Sequence, residues 1–435
     1  MRHYTKLGLA CLWALTALTL RAQETRTWDL KACIEYARQQ NIQIRQSRLS
    51  LEQSLEQTRE AKAQRLPSLA FSSAHNYVNR PLTETGDKNS YTGSYNLNSS
   101  VTLYQGGQLK KNLQQLDLQN QMQALTVEEA ENNIEMAITQ AFVQVLYAHE
   151  AVNISLNTVE VSRTQRDRGE ELMKAGSLSK ADFAQLESQY TADKYQLVMA
   201  QSTLENARLD LKQLLELGIE EEMDITIPEA ADEEVLALLP AKESVYRASL
   251  EVMPEVKANA LNIRMANVAK EKAWAGYLPT LRLSAGIGTN HATGTAWGPQ
   301  MKNNWSENIG LTLSVPVFNN RSVKTAVNTA RLNIEAAELE YENVQKTLLK
   351  SIETVYQEAV SAQNRFRSAQ ENLNAARESF ELLREQFALG MKNTLELLTG
   401  KNNLLTARLE VAQAKYTALL NRQLLRFYQG EEINL

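Results

Sequence analysis

Hydrophobic residues recur along this chain with two different periods, and each pattern occurs in both halves. The segments 108–172 and 320–388 place small and apolar side chains at alternating spacings of three and four residues, which predicts long helices that pack through coiled-coil seams. In the second half, the seam residues are Leu348, Ile352, Val355, Ala359, Ala362, Phe366, Ala369, Leu373, Ala376, Phe380, Leu383 and Phe387.

The equivalent seam in the first half begins apolar and turns polar toward its end. Its residues are Ile134, Ile138, Ala141, Val145, Ala148, Val152, Ser155, Val159, Ser162, Arg166, Gly169 and Met173. We therefore expect a weaker helix interface, with fewer apolar contacts, near the end of this segment.

Proline and glycine set the limits of the helices. None of the eight prolines lies within 82–227 or 317–435, and proline is strongly disfavoured inside a helix. Gly176 and Gly390 are the natural break points in these two blocks. The sequence predicts helices at 28–65, 108–172, 179–217, 243–276, 320–388 and 393–428.

The two halves repeat each other. Gly176 falls on Gly390 at a shift of 214 residues, and Leu66-Pro67 falls on Leu278-Pro279 at a shift of 212. Such a long self-similarity indicates two copies of one architectural unit. We predict a first repeat at 23–230, with a β-hairpin at 68–105 and a helical tip near 173–182. The second repeat, 231–435, has its β-hairpin at 280–317 and its helical tip near 387–399.

Four segments alternate apolar and polar residues: 68–78, 91–105, 280–290 and 305–317. Each is about as long as a tilted strand that crosses a bilayer. Aromatic residues gather toward one end, as at a membrane interface: Tyr77, Tyr91, Tyr95 and Trp305. The alternative for any one segment is a strand in a half-buried soluble sheet.

Four strands cannot close a membrane barrel, because the smallest such barrels have about eight. An open edge in lipid would leave backbone groups unsatisfied. The barrel must therefore be shared between subunits. A dimer would give eight strands, whose interior fills with side chains, so three subunits are the smallest number that leaves an open lumen.

Composition fits an exported protein. Charged residues make up 22% of the chain and mean hydropathy is −0.39, which excludes a helical membrane protein. Residues 1–22 have the charged start, apolar stretch Leu7–Leu20 and small Ala22 of a signal peptide; a signal anchor is the alternative. Removing them takes away Arg2, Lys6 and Arg21 and changes the formal charge from −5 to −8. This acidic balance argues against nucleic acid as a partner.

Enzymatic chemistry has no support in the sequence. His75, His149 and His291 are predicted to lie in a strand, a long helix and a loop, too scattered for a triad or a metal cluster. The Gly106-Gly107 pair lacks the lysine and spacing of a phosphate loop. We expect neither an enzyme nor a cofactor or metal site. After export one cysteine remains, Cys33, which cannot form an intrachain disulfide.

The ordered set of motifs, present twice, resembles the TolC family of outer-membrane efflux and secretion channels. The sequence WDLKACIEYA at 28–37, followed by NIQI at 41–44, resembles the opening helix of that family, and MPEV at 253–256 occupies the matching place in the second copy. The sequences VTLYQGG at 101–107 and LSVPVFNN at 313–320 resemble its strand-to-helix junctions. The resemblance covers nearly the whole mature chain.

The resemblance implies a mainly α protein with a small β part. Each subunit of a homotrimer would give four strands to one twelve-stranded outer-membrane barrel, and the long helices would form a tunnel across the periplasm. The protein would serve as the passive exit duct of a tripartite efflux or type I secretion system. Its partners would be outer-membrane lipid, a periplasmic adaptor protein and, through the adaptor, an inner-membrane pump that supplies the energy.

The resemblance also assigns roles at the two helical tips. The gate and selectivity residues would be Asp182, Phe387, Lys392, Glu396 and Thr399. The adaptor would dock on Gly176, Ser177, Leu178, Gly390 and Met391. Phe387 and Lys392 replace a tyrosine and an arginine of the best-known member, and Thr399 replaces an acidic residue, so cation preference would rest on Glu396.

Our hypothesis is that Asp182 and Lys392 pair across the tip and help to keep it closed. Physical chemistry alone offers a simpler interpretation of the acidic residues, because a charge near a helix end usually caps the helix or is solvated. For the whole chain, the competing hypothesis is a periplasmic structural coiled-coil protein without a membrane barrel.

Overall fold

The computed structural model describes residues 27–221, 223–228, 232–294 and 296–433. The predicted signal peptide, 1–22, lies outside the described residues. In chain order the elements are β1 (Thr27–Trp28), α1 (Leu30–Gln40), α2 (Ile42–Ala63), β2 (Ser68–Asn79), β3 (Asn89–Gln105), α3 (Gln108–Lys174), α4 (Lys180–Leu214), β4 (Asp224–Ile225), α5 (Asp232–Val235), α6 (Lys242–Val252), α7 (Pro254–Trp274), a 3₁₀ turn (Ala275–Tyr277), β5 (Thr280–Ala292), α8 (Trp297–Asn303), β6 (Ser306–Ser314), α9 (Ser322–Ala388) and α10 (Thr394–Tyr428).

The long helices begin and end within a few residues of their predicted limits, but two predicted helices are divided. The helix expected at 28–65 breaks at Asn41, whose side-chain oxygen accepts a hydrogen bond from the Gln43 amide (2.9 Å) at the start of α2. The side-chain amide nitrogen of Asn41 also donates a hydrogen bond to the Leu214 carbonyl oxygen at the end of α4 (3.0 Å). The helix expected at 243–276 divides before Pro254, which occupies the first turn of α7, where a missing N–H costs nothing.

The predicted seams are buried. Ile138, Ile352, Ala359 and Phe366 have no exposed surface. On the polar end of the first seam, Ser162 is 2% exposed, because it takes part in a polar network described below. Arg166 and Met173, nearer the Gly176 turn, are half-buried, and the expected weaker interface near that turn stays a prediction.

Each of the two helical hairpins contains a contact between a glycine of one helix and a leucine of the other. A Cβ added to Gly169 of α3 would lie 2.4 Å from Leu186 of α4, and one added to Gly400 of α10 would lie 2.6 Å from Leu383 of α9. The 214-residue shift places Leu383 on Gly169 and Gly400 on Leu186. Each hairpin thus fits a leucine against a glycine, with the two residues exchanged between helices.

The strands form one antiparallel sheet in the order β2-β3-β5-β6. Its register shifts between Thr102 and Tyr104 in β3. Strand β6 ends at Ser314, short of the predicted limit at 317, and Pro316 follows with no N–H to donate. The short helix α8 and the two-residue parallel pair β1-β4 were not predicted.

The chain folds into two compact units. One holds the described residues within 1–45, 131–249 and 350–435, and it contains both helical tips. The other holds those within 46–130 and 250–349, and it contains the four-stranded sheet. The division into repeats 23–230 and 231–435 stays a prediction. Among the helices of the described residues, none is long and apolar enough to cross a membrane.

Two adjacent glycines turn the chain from β3 into α3. Gly106 has φ +58° and Gly107 has φ +80°, both in the left-handed region. A Cβ at Gly106 would lie 2.6 Å from the Ala275 carbonyl oxygen, whereas one at Gly107 would meet nothing within 4 Å. The two positions therefore share backbone strain but differ in available space.

Substituting alanine at these glycines should separate strain from collision. Gly107→Ala should cost roughly 1–2 kcal/mol from left-handed strain alone. Gly106→Ala should cost more, because the new methyl group meets a backbone carbonyl. Thermal unfolding of the detergent-purified proteins, followed by circular dichroism at 222 nm, measures both. Equal midpoints for the two variants would contradict the predicted collision.

Candidate functional site

The four-stranded sheet has one apolar and one polar face. Registered pairs place Phe71, Leu97 and Ile287 side by side on the first face, which continues with Leu69, Val101, Leu281, Leu283, Ala285, Ile309, Leu311 and Leu313. The opposite face carries Ser68, Ser72, Asn96, Asn98, Ser100, Ser284, Gly286, Asn308 and Gly310. The apolar face is largely exposed in the single chain, with Phe71 at 68% and Ile309 at 79%. An apolar patch of this extent needs a lipid or protein cover.

Strands β2 and β6 form the two edges of this sheet. Each edge strand has neighbours on one side, so its other side presents backbone N–H and C=O groups for further pairing. The sheet therefore combines an exposed apolar face with two edges that can accept further strands.

The expected aromatic girdle lies at the loop end of the apolar face. Tyr77 pairs with Tyr91 in the register, and the hydroxyl of Tyr91 hydrogen-bonds Nδ1 of His75 (2.8 Å). The ring of His291 lies 5.4 Å from that of Tyr91 and 6.3 Å from that of His75. Sequence reasoning placed His291 in a loop, but it lies in β5, opposite Gly93, whose missing side chain leaves room for the imidazole. The histidines are thus less scattered than predicted.

The two helical tips are built on one turn. After α3, the amide of Gly176 donates to Met173 (3.0 Å) and that of Ser177 donates to Leu172 (2.9 Å). After α9, the amide of Gly390 donates to Phe387 (3.0 Å) and that of Met391 donates to Gln386 (2.9 Å). These are paired Schellman bonds, which require a left-handed residue. Gly176 (φ +74°) and Gly390 (φ +72°) supply it, so the predicted break points are confirmed.

The acidic residues at both tips cap helices. Ser179 accepts a hydrogen bond from the Asp182 amide (3.1 Å) and donates its hydroxyl to the Asp182 carboxylate (2.6 Å). At the second tip, Asn393 and Glu396 form a capping box, with each side chain bonded to the other's backbone amide. The simple interpretation of these charges as helix caps therefore holds for their local contacts.

The ion pair expected between Asp182 and Lys392 is not formed within the chain. Lys392 instead donates to Glu396, one turn along the same segment (2.6 Å). This hydrogen bond, with a second from the Asn393 amide, lowers the pKa of the Glu396 carboxyl. A partner four residues away brings almost no loop-closure cost, which explains why it wins over a partner on the other tip.

The remaining predicted tip residues fall into buried and exposed sets. Phe387 is buried in a cluster with Leu186, Phe380, Leu397 and Leu404, and Leu178 packs against that cluster. Thr399 is exposed and its hydroxyl donates to the Leu395 carbonyl of its own helix. Gly176, Ser177, Gly390 and Met391 are exposed, and Leu389 and Leu395 join Met391 in an apolar surface at the second tip.

A buried ion pair links three helices behind the tips. Lys401 of α10 contacts Asp193 of α4 and donates to the hydroxyl of Ser162 in α3 (3.0 Å), and Ser162 in turn contacts Asp193. Gln189 donates to the second Asp193 oxygen (2.9 Å). The side chains of Lys401 and Asp193 are 3% exposed. Burial lowers the pKa of the Lys401 ammonium, and the hydrogen bond and charge of Asp193 act against that shift.

Sequence reasoning missed this network, although one signal was present. Ser162 appeared as one of the polar residues on the later part of the first seam. The seam period alone says nothing about which residues of other helices face it, so Asp193 and Lys401 could not be assigned as its partners.

These features define a class of protein. Long paired helices, a sheet with one lipid-compatible face and one polar face, and two open strand edges describe a subunit of a membrane channel. The described residues contain no group of three or more His, Cys, Asp or Glu side chains placed to hold a metal ion.

The chain belongs to the family described as Outer membrane efflux protein, whose sequence profile matches residues 33–216 and 245–431. It is accordingly an outer-membrane protein of the efflux and secretion channel class, and its relatives are channel proteins rather than enzymes.

The individual relatives have low sequence identity to this chain, but the similarity extends over most of its length. Outer membrane protein TolC of Salmonella enteritidis is 22% identical over 414 residues, which cover 92% of this chain and 82% of that protein. Alkaline protease secretion protein AprF of Pseudomonas aeruginosa is 22% identical over 299 residues, covering 67% of this chain and 61% of AprF. The solved structure of CusC superposes with a TM-score of 0.78 at 18% identity, covering 93% and 92% of the two chains. Its likeness confirms the predicted fold class.

Removing one member of the buried ion pair should destabilise the protein strongly. Lys401→Met leaves the Asp193 carboxylate buried without a cation, which typically costs about 3–5 kcal/mol. The double variant Lys401→Met, Asp193→Asn should recover part of this loss, because no buried charge remains. The thermal unfolding midpoint in detergent measures both.

Lys194→Met is the matched control, since Lys194 adjoins Asp193 on the same helix and is exposed. A midpoint for Lys401→Met equal to that of this control would show that the pair contributes nothing to stability.

Proposed function

We propose that this protein is the gated outer-membrane exit duct of a tripartite efflux or type I secretion system. Substrates would pass from a pump in the inner membrane through the duct to the exterior, with no energy-coupling step in this chain. The observation that carries the proposal is the four-stranded sheet, with its exposed apolar face, its polar face and its two open edges. Family membership supports the same conclusion.

The sheet favours a homotrimer. Backbone groups at an open edge in lipid cost several kcal/mol each, so β2 and β6 need partner strands from other copies. Three copies of four strands give a twelve-stranded barrel, whose polar face would line the lumen while its apolar face meets outer-membrane lipid. Two copies would give a barrel filled by its own side chains.

The tips are the proposed gate and adaptor-docking site. The exposed apolar surface of Leu389, Met391 and Leu395 supports docking of a partner at the second tip. Gly176, Ser177 and Leu178 would contribute at the first. A periplasmic adaptor protein would join these tips to the inner-membrane pump. Asp182, Phe387, Lys392, Glu396 and Thr399 remain the proposed gate and selectivity residues.

Light scattering with detergent correction tests the assembly directly. We expect three mature chains in each detergent-purified particle, and a twelve-stranded barrel that conducts ions in planar bilayers. A monomer that stays in solution without detergent would contradict the proposal and support the competing hypothesis of a periplasmic coiled-coil protein.

The role of Glu396 can be measured as ion selectivity. If three Glu396 carboxylates surround the lumen, they favour cations, and Glu396→Gln should shift the reversal potential in a KCl gradient toward the unselective value. As the pH falls through the Glu396 pKa, the carboxylate is neutralised and the same shift should appear. Lys392→Gln removes the hydrogen bond that lowers this pKa, so the shift should then begin at a higher pH.

Lys174→Gln serves as the control, because Lys174 makes an equivalent exposed pair with Glu170 at the other tip. An unchanged reversal potential in Glu396→Gln would restrict Glu396 to its capping role.

A further inference from the structure

A cavity of about 780 Å³ lies among α3, α9 and α10 in the unit that contains the tips. Ile154, Val161, Leu373 and Val411 form its apolar walls. Its volume is within the range of pockets that hold small organic ligands. The proposed passage through a lumen makes no use of this cavity.

Gln165 lines the cavity with an amide that has no partner. The residue is 8% exposed, and within the described part of the chain neither its Nε2 nor its Oε1 makes a hydrogen bond. Leaving a buried polar group unsatisfied costs about 1–3 kcal/mol per group. Such a residue is therefore a signal for a ligand that supplies the missing contacts.

Three arginines line the same cavity: Arg377 and Arg384 of α9, and Arg408 of α10. Arg377 and Arg384 are exposed and Arg408 is half-buried, and among the described residues none of their guanidinium groups has a carboxylate within 4 Å, unlike Arg365 of α9 and Arg426 of α10. Burial and the neighbouring charge of Arg377 both lower the pKa of Arg408. Arg377 and Arg408 are thus close enough for their charges to repel, with no carboxylate of the described residues paired to either.

Two of the three described acidic residues that line the cavity have partners of their own. Asp232 accepts hydrogen bonds from Gln370 (2.9 Å) and Lys415 (3.2 Å). Glu160 faces Arg163 on its own helix. Glu150 also lines the cavity, and its charge acts on Tyr416. Against the three arginines this leaves one acidic residue, so the lining keeps a positive balance.

We propose that this cavity binds a small organic anion that carries carboxylate or phosphate groups. The planar forks of Arg377, Arg384 and Arg408 would hold the anionic groups, since guanidinium matches the geometry of carboxylate and phosphate. The amide of Gln165 would donate to one ligand oxygen, and the apolar walls would contact the body of the ligand. The cavity adjoins the proposed gate, because its wall residues Val161 and Leu373 pack against the cluster that contains Phe387, but its described lining includes none of the proposed gate residues.

Isothermal titration of the detergent-purified full-length protein with citrate, and separately with inorganic phosphate, tests the proposal at constant ionic strength. We expect saturable binding of at least one probe. The double variant Arg377→Gln, Arg408→Gln should weaken it roughly tenfold or more, because charged hydrogen bonds are lost. Arg367→Gln is the matched control, since Arg367 is exposed on the same helix and does not line the cavity; it should bind as the wild type does.

Saturable binding by neither probe would overturn the proposal, as would equal weakening by the control. A second measurement does not depend on the arginines. The probe that binds should raise the thermal unfolding midpoint of the wild-type protein, and Gln165→Met should gain less from it. If the probe raised the midpoint of Gln165→Met as much as that of the wild type, Gln165 would not contact the ligand. The proposal would then lose the unsatisfied amide on which it rests.

Discussion

The rest of this structure depends on the need to satisfy backbone hydrogen bonds in an apolar solvent. A strand edge in water can bond to the solvent, but the same edge in hydrocarbon cannot. The four-stranded sheet ends on β2 and β6, and its apolar face carries leucine, isoleucine, valine and phenylalanine. In the proposed function, the chain would encode only part of a closed wall, and self-association would follow from the chemistry of the single subunit.

The helical tips follow a different principle, since each of their bonds is local. A glycine in the left-handed region, a Schellman pair before it and a side-chain cap after it recur at both tips. Because these groups satisfy one another within about ten residues, each turn is defined without help from its surroundings. The same self-sufficiency leaves apolar side chains such as Leu389 and Met391 free at the surface. The turn of each tip is thus defined by local hydrogen bonds, the two tips pack on each other through the cluster that contains Phe387 and Leu178, and their exposed apolar side chains remain available to a partner.

Periodicity in the sequence was enough to predict the elements and their faces. A seam of alternating threes and fours, a gap in proline usage and strict alternation each reflect local geometry, so helices such as α9 and strands such as β3 could be placed within a few residues. The breaks at Asn41 and Pro254 were missed, because a long apolar pattern continues across them.

Pairings between distant side chains could not be predicted in the same way. Lys392 was expected to pair with Asp182, but within the chain it pairs with Glu396. Lys401, Asp193 and Ser162 come from three helices, and no periodic signal fixes the mutual rotation that brings them together. His75 and His291 were likewise separated by more than two hundred residues of sequence and united only by sheet register. The sequence shows which contacts a side chain is chemically able to make. The fold determines which other side chain it contacts.

The exchanged glycine and leucine in the two hairpins bear on the history of the chain. Gly169 receives Leu186 in one hairpin, and Gly400 receives Leu383 in the other. If both hairpins descend from one ancestral copy, two positions had to change for the exchange to occur. A single change would have produced either two facing leucines or two facing glycines, and overpacking and cavities both destabilise a core. On that assumption, direct exchange of glycine and leucine would pass through a less well packed hairpin, which would favour keeping each copy in its present arrangement.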